Sequence, residues 1–420
     1  MKKIVMILVA VAQFAWASAQ VAPADRLMKK MGLTAIQLAH YMAPGVNLGN
    51  TMEACNWNDV FTNQAGLKSE TSWQNDKTTE SYIRSLKQQG FNSLRIPTSW
   101  VAGHLTDKEN MSIDPVWMKR IKEIVNYCLN AGLCVIINEH WDGGWMEHDA
   151  FTNGVNVAEH KEMFRRLWTN IAKEFKTYDQ RVLFAALNEP GVGGASPQVQ
   201  GNMLAPESKE FADRLLAYEQ VFIDAVRATG GNNASRVLIV QAPKTEIDLA
   251  AKDSYDITRL KDKVKNRLMA EVHFYDPYQF TDLSEDKDWG KYYLYWGKNN
   301  KGGDADRTAD AKYNEDYVEA QMKKMKTNFF DKGYPVLIGE FGANQRLAIG
   351  KDALHDASVK DYYKAVVTSA INNGCVPVAW DTNAGLPSMT IFNRASTTVS
   401  NANILESIQE AVKTAVWPVK

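Results

Sequence analysis

Beyond its first twenty residues the chain has no apolar run of the roughly 20 residues that a membrane-spanning helix needs, so no span across a bilayer is expected. An excess of charge of one sign is missing too. The 420 residues carry 48 Lys and Arg against 49 Asp and Glu, which leaves no basic excess to hold a polyanion such as nucleic acid. Cysteine is scarce, and its four copies include no pair at zinc-ligand spacing. There is no GxGxxG turn, which argues against an open-sheet dinucleotide fold, no GxSxG elbow of a serine hydrolase, and no HExxH helix of a zinc protease. Proline- or serine-rich linkers, repeats and low-complexity tracts are also absent, so one large domain is the economical reading.

The chain opens on MKKIVMILVAVAQFAWASAQ. Lys2 and Lys3 precede a short apolar run and the small-x-small site Ala17-Ser18-Ala19, which reads as a secretory peptide covering residues 1–19. Cleavage would leave Gln20, not a lipid-bearing cysteine, at the head of a soluble chain, secreted or periplasmic and expected to be a monomer. It would also remove two lysines, leaving 46 basic residues against 49 acidic, a net charge of about −3. In an exported protein Cys55, Cys128, Cys134 and Cys375 could form two disulfides in any of three pairings, or remain buried thiols.

Apolar strand-like runs alternate with amphipathic helical stretches along residues 20–420. The expected strands are Val46–Gly49, Ser93–Ile96, Cys134–Asn138, Val182–Leu187, Val237–Gln241, Met269–Phe274, Val336–Gly339 and Val378–Trp380. Between them apolar residues recur at three and four, as in Val116, Ile121, Ile124, Val125, Cys128 and Leu129, and Gly90, Gly132 and Gly374 stand where helices are expected to stop. Eight such units predict an α/β fold, a single-domain (β/α)8 TIM barrel.

A barrel gathers its functional groups at the C-terminal ends of its strands. Asn47 and Asn50 accompany the first strand and Arg95 the second. His140 ends the third, Asn188 and Glu189 the fourth, and Gln241 the fifth. His273 and Tyr275 end the sixth, Glu340 the seventh and Trp380 the eighth. Glu189, in FAALNEP, and Glu340, in VLIGEFG, each follow a run too apolar to hold an unpaired charge cheaply. Two carboxyls across a barrel mouth are the equipment of glycoside hydrolysis, one as general acid and one as nucleophile or base. The segment EHWDGGWMEHD at 139–149 could instead ligate a metal, but its two glycines make a loop where ligands would need a helix, and neither metal nor cofactor is expected. Trp57, Trp73, Trp100, Trp141, Trp145, Trp289, Tyr292, Tyr293, Tyr295 and Trp296 crowd the loops on the same side, as a cleft for flat-faced sugar rings would require. The inserts 53–76, 191–207 and 276–313 are its expected walls. A sugar-binding protein without activity would share the aromatics but have no use for two opposed acids.

Seven segments, VNLGN, GFNSLRIPTSW, VIINEHWDGG, LNEP, VHFYDPY, IGEFG and AWDTN, resemble in kind and order glycoside hydrolase family 5, the large cellulase family of retaining barrels. The likeness runs from about residue 33 to the C-terminus. It implies Glu189 as acid/base and Glu340 as nucleophile, with Arg95 pairing the nucleophile. His140 and Asn188 would lie around the sugar at the cleaved bond, with His273 and Tyr275 after strand six. Trp380 would be the stacking platform. Asn50 and Trp141 join this supporting set, although many relatives show a second histidine where Trp141 stands. The implied activity is that of a retaining endo-β-1,4-glycanase without cofactor, most directly an endo-β-1,4-glucanase acting on cellulose, mixed-linkage glucan or xyloglucan. A mannanase or xylanase is the alternative within the family. The implied partner is a polysaccharide, with neither nucleic acid nor membrane.

Overall fold

A computed structural model describes residues 28–73, 76–192 and 202–418. The leader 1–19 lies outside the described residues.

Eight parallel strands close into a barrel in chain order: β1 (Gly45–Asn47), β2 (Ser93–Ile96), β3 (Cys134–Asn138), β4 (Val182–Ala185), β5 (Leu238–Gln241), β6 (Leu268–Phe274), β7 (Val336–Phe341) and β8 (Cys375–Ala379), with β8 pairing back onto β1. All eight expected strands exist, with ends shifted by at most three residues. The helix Pro115–Ala131 stops at Gly132, whose left-handed φ of 84° a side chain would resist; Gly90 and Gly374 are left-handed as well. Along that helix the predicted stripe is buried or half-buried except for Val116, exposed in its first turn.

Side chains on the strands alternate between two apolar layers, as a period of two requires. Cys134 and Ile136 of β3, Leu183 and Ala185 of β4, Ile239 of β5 and Met269 of β6 fill the lower bore of the barrel. There they meet Ala35, Leu38 and Met42 of the helix Ala35–Met42, which plugs the bottom. Val135 and Ile137, pointing the other way, join the larger layer beneath the outer helices. The upper bore differs: Asn47, Arg95, Asn138, Gln241 and Glu271 are completely buried there without an apolar neighbour layer of their own kind. A core that is polar at one end calls for internal pairing.

All four cysteines are buried free thiols, and burial raises the thiol pKa of each, to about 12 for Cys55 and Cys134.

Candidate active site

The charged groups of the polar bore are paired with one another. Arg95, from β2, lies with Nε 3.0 Å from Glu271 Oε1 and donates through Nη1 to Glu340 Oε1 at 2.9 Å and to Asn47 Oδ1 at 3.0 Å. Its Nη2 donates to Asn188 Oδ1 at 2.9 Å. One guanidinium thus ties four strands, β1, β2, β6 and β7, and the end of β4, which suits its planar fork of donors. Gln241 donates to Glu271 Oε2 at 2.6 Å and accepts the Leu187 N–H at 2.8 Å. That last bond explains why the FAALNEP run leaves the sheet early: a side chain takes the amide that the ladder would have used, and Asn188 and Glu189 turn into the mouth.

Glu189 and Glu340 meet there. Ligand atoms of Glu189, His273 and Glu340 all lie within 4.8 Å of one another, a spacing close to the roughly 5–5.5 Å of retaining glycosidase carboxyls and well below the 6.5–9.5 Å of inverting ones. Tyr275 donates its hydroxyl to Glu340 Oε2 at 3.1 Å, so both carboxyl oxygens of Glu340 are engaged. A bulge between Val272 and His273 brings His273 into register with Glu340. Gly339, the residue before Glu340, has no side chain for a steric reason: a Cβ there would lie 2.0 Å from Glu271 Oε1.

His273 bridges two acids, with Nδ1 2.8 Å from Glu189 Oε1 and Nε2 3.3 Å from Glu271 Oε1. Burial opposes its charge, but Glu340, Glu189 and Glu271 together push its pKa up to about 10, so the ring is an imidazolium donating from both nitrogens at neutral pH. Burial pushes the Glu340 carboxyl above its ordinary value; His273, Arg95 and the Tyr275 hydroxyl pull against this, while Glu189 adds to it. Desolvation is thus the largest influence on the Glu340 carboxyl, ahead of His273, Arg95 and Tyr275. His140 is driven the other way, well below its usual value, by burial and then by Arg95 and His273. With Nδ1 3.2 Å from the Asn138 amide, the neutral ring takes its proton on Nε2.

The raised value of His273 carries a pH prediction. A folded-state pKa above the unfolded 6.5 contributes stability that is complete below about 6.5 and is lost as pH rises through about 10. The thermal midpoint of the wild type is expected to fall between pH 7 and 10, and that of His273→Asn to be flatter over the same range. Parallel melting curves for the two proteins would refute the charge assigned to His273.

Trp380, half-buried at the end of β8, lies parallel to the His140 ring, 6.0 Å between centroids at 9°. It shares a cavity of about 560 Å³ with Glu189, His273, Tyr275 and Glu340, which continues past Lys244 and Asp248 to Tyr278. At one edge Tyr278, 47% exposed, lies 6.2 Å from Trp289, 64% exposed; elsewhere Trp57, 57% exposed, lies against Trp141 at 5.5 Å. The other expected wall aromatics need correction. Trp100, Trp145 and Trp296 are at most 1% exposed and Tyr295 is buried, so they are packing beneath the loops and not sugar platforms. Composition counted them, but only packing shows which face of a loop a ring takes. Asn50 stands on the turn after β1 in a left-handed conformation, φ 57°, with its amide held by the Glu53 carboxylate.

The acids of 139–149 do not converge. Asp142 accepts from Ser99 Oγ and from the amides of Trp100, Val101 and Ala102 at 2.6–2.8 Å, capping the loop after β2. Glu147 accepts from Asn188 Nδ2 at 2.7 Å, and His148 pairs with Asp149. Glu271 was the residue missed in the sequence, although it stands two before His273 on one face of β6, a period-two signal that could have found it.

The profile of the cellulase family, glycosyl hydrolase family 5, matches residues 48–385. The chain is 34% identical to the xyloglucan-specific endo-β-1,4-glucanase BoGH5A of Bacteroides ovatus, over 90% of this chain and 70% of that one. It is 30% identical to endoglucanase A of Paenibacillus barcinonensis, over 97% and 96%. Among solved structures it superposes on XEG5B, a xyloglucan-specific β-1,4-glucanase from a ruminal metagenomic library in complex with XXLG, with a TM-score of 0.81 and 39% identity over 92% of this chain and 98% of that one.

Proposed function

Because the chain belongs to glycosyl hydrolase family 5 and is an endo-glucanase with that family's retaining chemistry, we propose that Glu340 is its nucleophile, Glu189 its acid/base, and xyloglucan a principal substrate. The observation that carries the assignment of the acids is the approach of Glu189 and Glu340 within 4.8 Å, one held by an arginine and a tyrosine and the other by a histidine.

In the first step a Glu340 oxygen attacks the anomeric carbon while Glu189 gives its proton to the leaving glycosidic oxygen, so the C–O bond to the leaving chain breaks as an ester forms. Esterification removes the negative charge from Glu340. Glu189, now a carboxylate, takes a proton from water, and the water oxygen displaces Glu340 with a second inversion. Arg95 and Tyr275 hold the two oxygens of Glu340 in one plane. Asn188 has one amide hydrogen bound to Glu147 and a second left for the sugar 2-hydroxyl, a bond that strengthens as positive charge develops on the ring. Trp380 supplies an apolar face to the sugar and His140 an Nε2 donor. Asn50 and Trp141 act as supporting groups at the rim.

The xyloglucan reading rests on the similarity to BoGH5A and XEG5B, and on a cleft open along the rim from Trp380 to Tyr278. An exported monomer belongs to the same reading: the leader has the form of a secretory peptide, and no helix among the described residues is long and apolar enough to cross a membrane. Product analysis on xyloglucan, cellulose, mixed-linkage glucan, mannan and xylan is the test. Internal cleavage with xyloglucan degraded fastest is expected; faster release from mannan than from any glucan would overturn the substrate assignment.

A further inference from the structure

We propose that Glu147, on the loop after β3, is a positioning residue that holds the acid/base Glu189 and the amide of Asn188 in their catalytic orientation. The inference rests on the assignment of Glu189 as acid/base. Glu147 is 1% exposed, and a single oxygen, Oε1, accepts from three donors on two different loops: the Asn188 amide at 2.7 Å, the Trp141 N–H at 3.1 Å and the N–H of Glu189 itself at 3.3 Å. Its own carbonyl accepts from Gly191 N–H at 2.6 Å. Glu147 thus clasps the chain on both sides of Glu189, at 188 and at 191.

Two consequences follow from that geometry. Asn188 donates to Glu147 and accepts from Arg95, so its oxygen and nitrogen cannot exchange places, and its remaining amide hydrogen has one direction. The loop is also held in a conformation it would not choose alone: Trp141 and Asp142 have φ of 56° and 50°, left-handed values in side-chain-bearing residues, followed by Gly143 and Gly144 at 77° and 84°. Such strain persists only where neighbouring contacts enforce it, and Glu147 and Asp142 supply those contacts.

The charged groups facing Glu147 are Glu189 from the end of β4 and Glu139 from the end of β3. Burial first and Glu189 second push the Glu147 carboxyl up to about 8, against its three donors. A neutral amide of the same shape is therefore its nearest substitute at neutral pH.

The test compares Glu147→Met and Glu147→Gln with wild type on two substrates, a cello-oligosaccharide and 2,4-dinitrophenyl β-cellobioside, whose leaving group departs without a proton. If Glu147 positions the acid, Glu147→Met loses about tenfold or more in kcat/KM on the oligosaccharide. It loses at least several times less on the aryl glycoside, and Glu147→Gln recovers most of the difference. Equal losses on both substrates, or no loss, overturn the proposal. Should Glu147→Met not fold, Glu147→Asp decides by the same ratio, since its shorter side chain withdraws from the three amides while keeping a carboxyl group. Glu189→Gln is run beside them. If it too shows no dependence on leaving group, the acid/base assignment has failed; if it shows one and the Glu147 variants do not, only this inference has.

Discussion

Glu340→Gln is expected to lose at least about 10⁴-fold in kcat on β-1,4-glucans, the scale seen when a covalent nucleophile is removed. The amide keeps the shape of the carboxylate: its oxygen can still accept from Arg95 Nη1 while its NH2 donates to the Tyr275 hydroxyl, so folding is expected to survive and the loss to be chemical. Glu189→Ala behaves differently. Without the proton donor, loss on natural glycans of roughly 10²–10⁴-fold is expected, but Glu340 can still form its ester with an activated aryl glycoside. Azide then fits the space of the missing side chain and attacks that ester without a general base, restoring turnover and yielding a glycosyl azide of retained configuration. The Glu340 variant forms no ester and gives no such product. Kinetics with and without azide, and the anomeric configuration of the product by NMR, check both halves. Activity within tenfold of wild type in either variant would sink the assignment.

Arg95→Met is expected to damage stability as much as activity. Arg95 is wholly buried, and its loss strands Glu271 and Glu340 with His273 as their one remaining ion-pair partner among the described residues. Removing one partner of a buried ionic group costs about 3–5 kcal/mol, because the remaining charge stays desolvated. At about 1.2 °C per kcal/mol for a chain of about 400 residues this corresponds to a thermal midpoint lower by roughly 4–6 °C. Arg95 Nη2 also orients Asn188, so the activity of whatever remains folded is expected to fall by about 10²-fold or more. Arg95→Lys keeps the charge but not the fork that reaches Asn47, Glu340 and Asn188 together, and is expected to lie between the two. Calorimetry and kinetics on the same preparations separate the effects. An Arg95→Met protein as stable as wild type would mean that the acids of the bore are neutral.

The non-catalytic sugar-binding alternative shares the aromatic rim and fails at the bore. A binding cleft has no need of a buried guanidinium braced against two buried glutamates beneath the sugar, and the family to which the chain belongs is enzymatic.

Much of the barrel was legible in the residues because its signals are local. A strand covered on both faces shows as an apolar run, a helix on the barrel surface as a three-four repeat, and a left-handed stop as glycine. Polar residues at the ends of apolar runs marked Arg95, His140, Asn188, Glu189, His273, Tyr275, Glu340 and Trp380, and the fold's rule that strand ends share one mouth assembled them.

Packing decided the rest. Glu271 sits within a strand, not at its end; the period of two could point to it, but its partner was fixed when β2 and β6 placed Arg95 Nε 3.0 Å from it. Trp100 and Trp57 read alike in sequence, yet one is sealed under a loop and the other is more than half exposed. The acids of EHWDGGWMEHD looked like ligands for one ion until the loop's left-handed turn sent Asp142 to the amides after β2 and Glu147 to those around Glu189. Residue type and local order therefore determined which strands exist and which groups stand at their ends. Which acid faces which cation, and which ring faces sugar or core, depends on approaches between residues far apart in the chain, and only the closed barrel sets those distances.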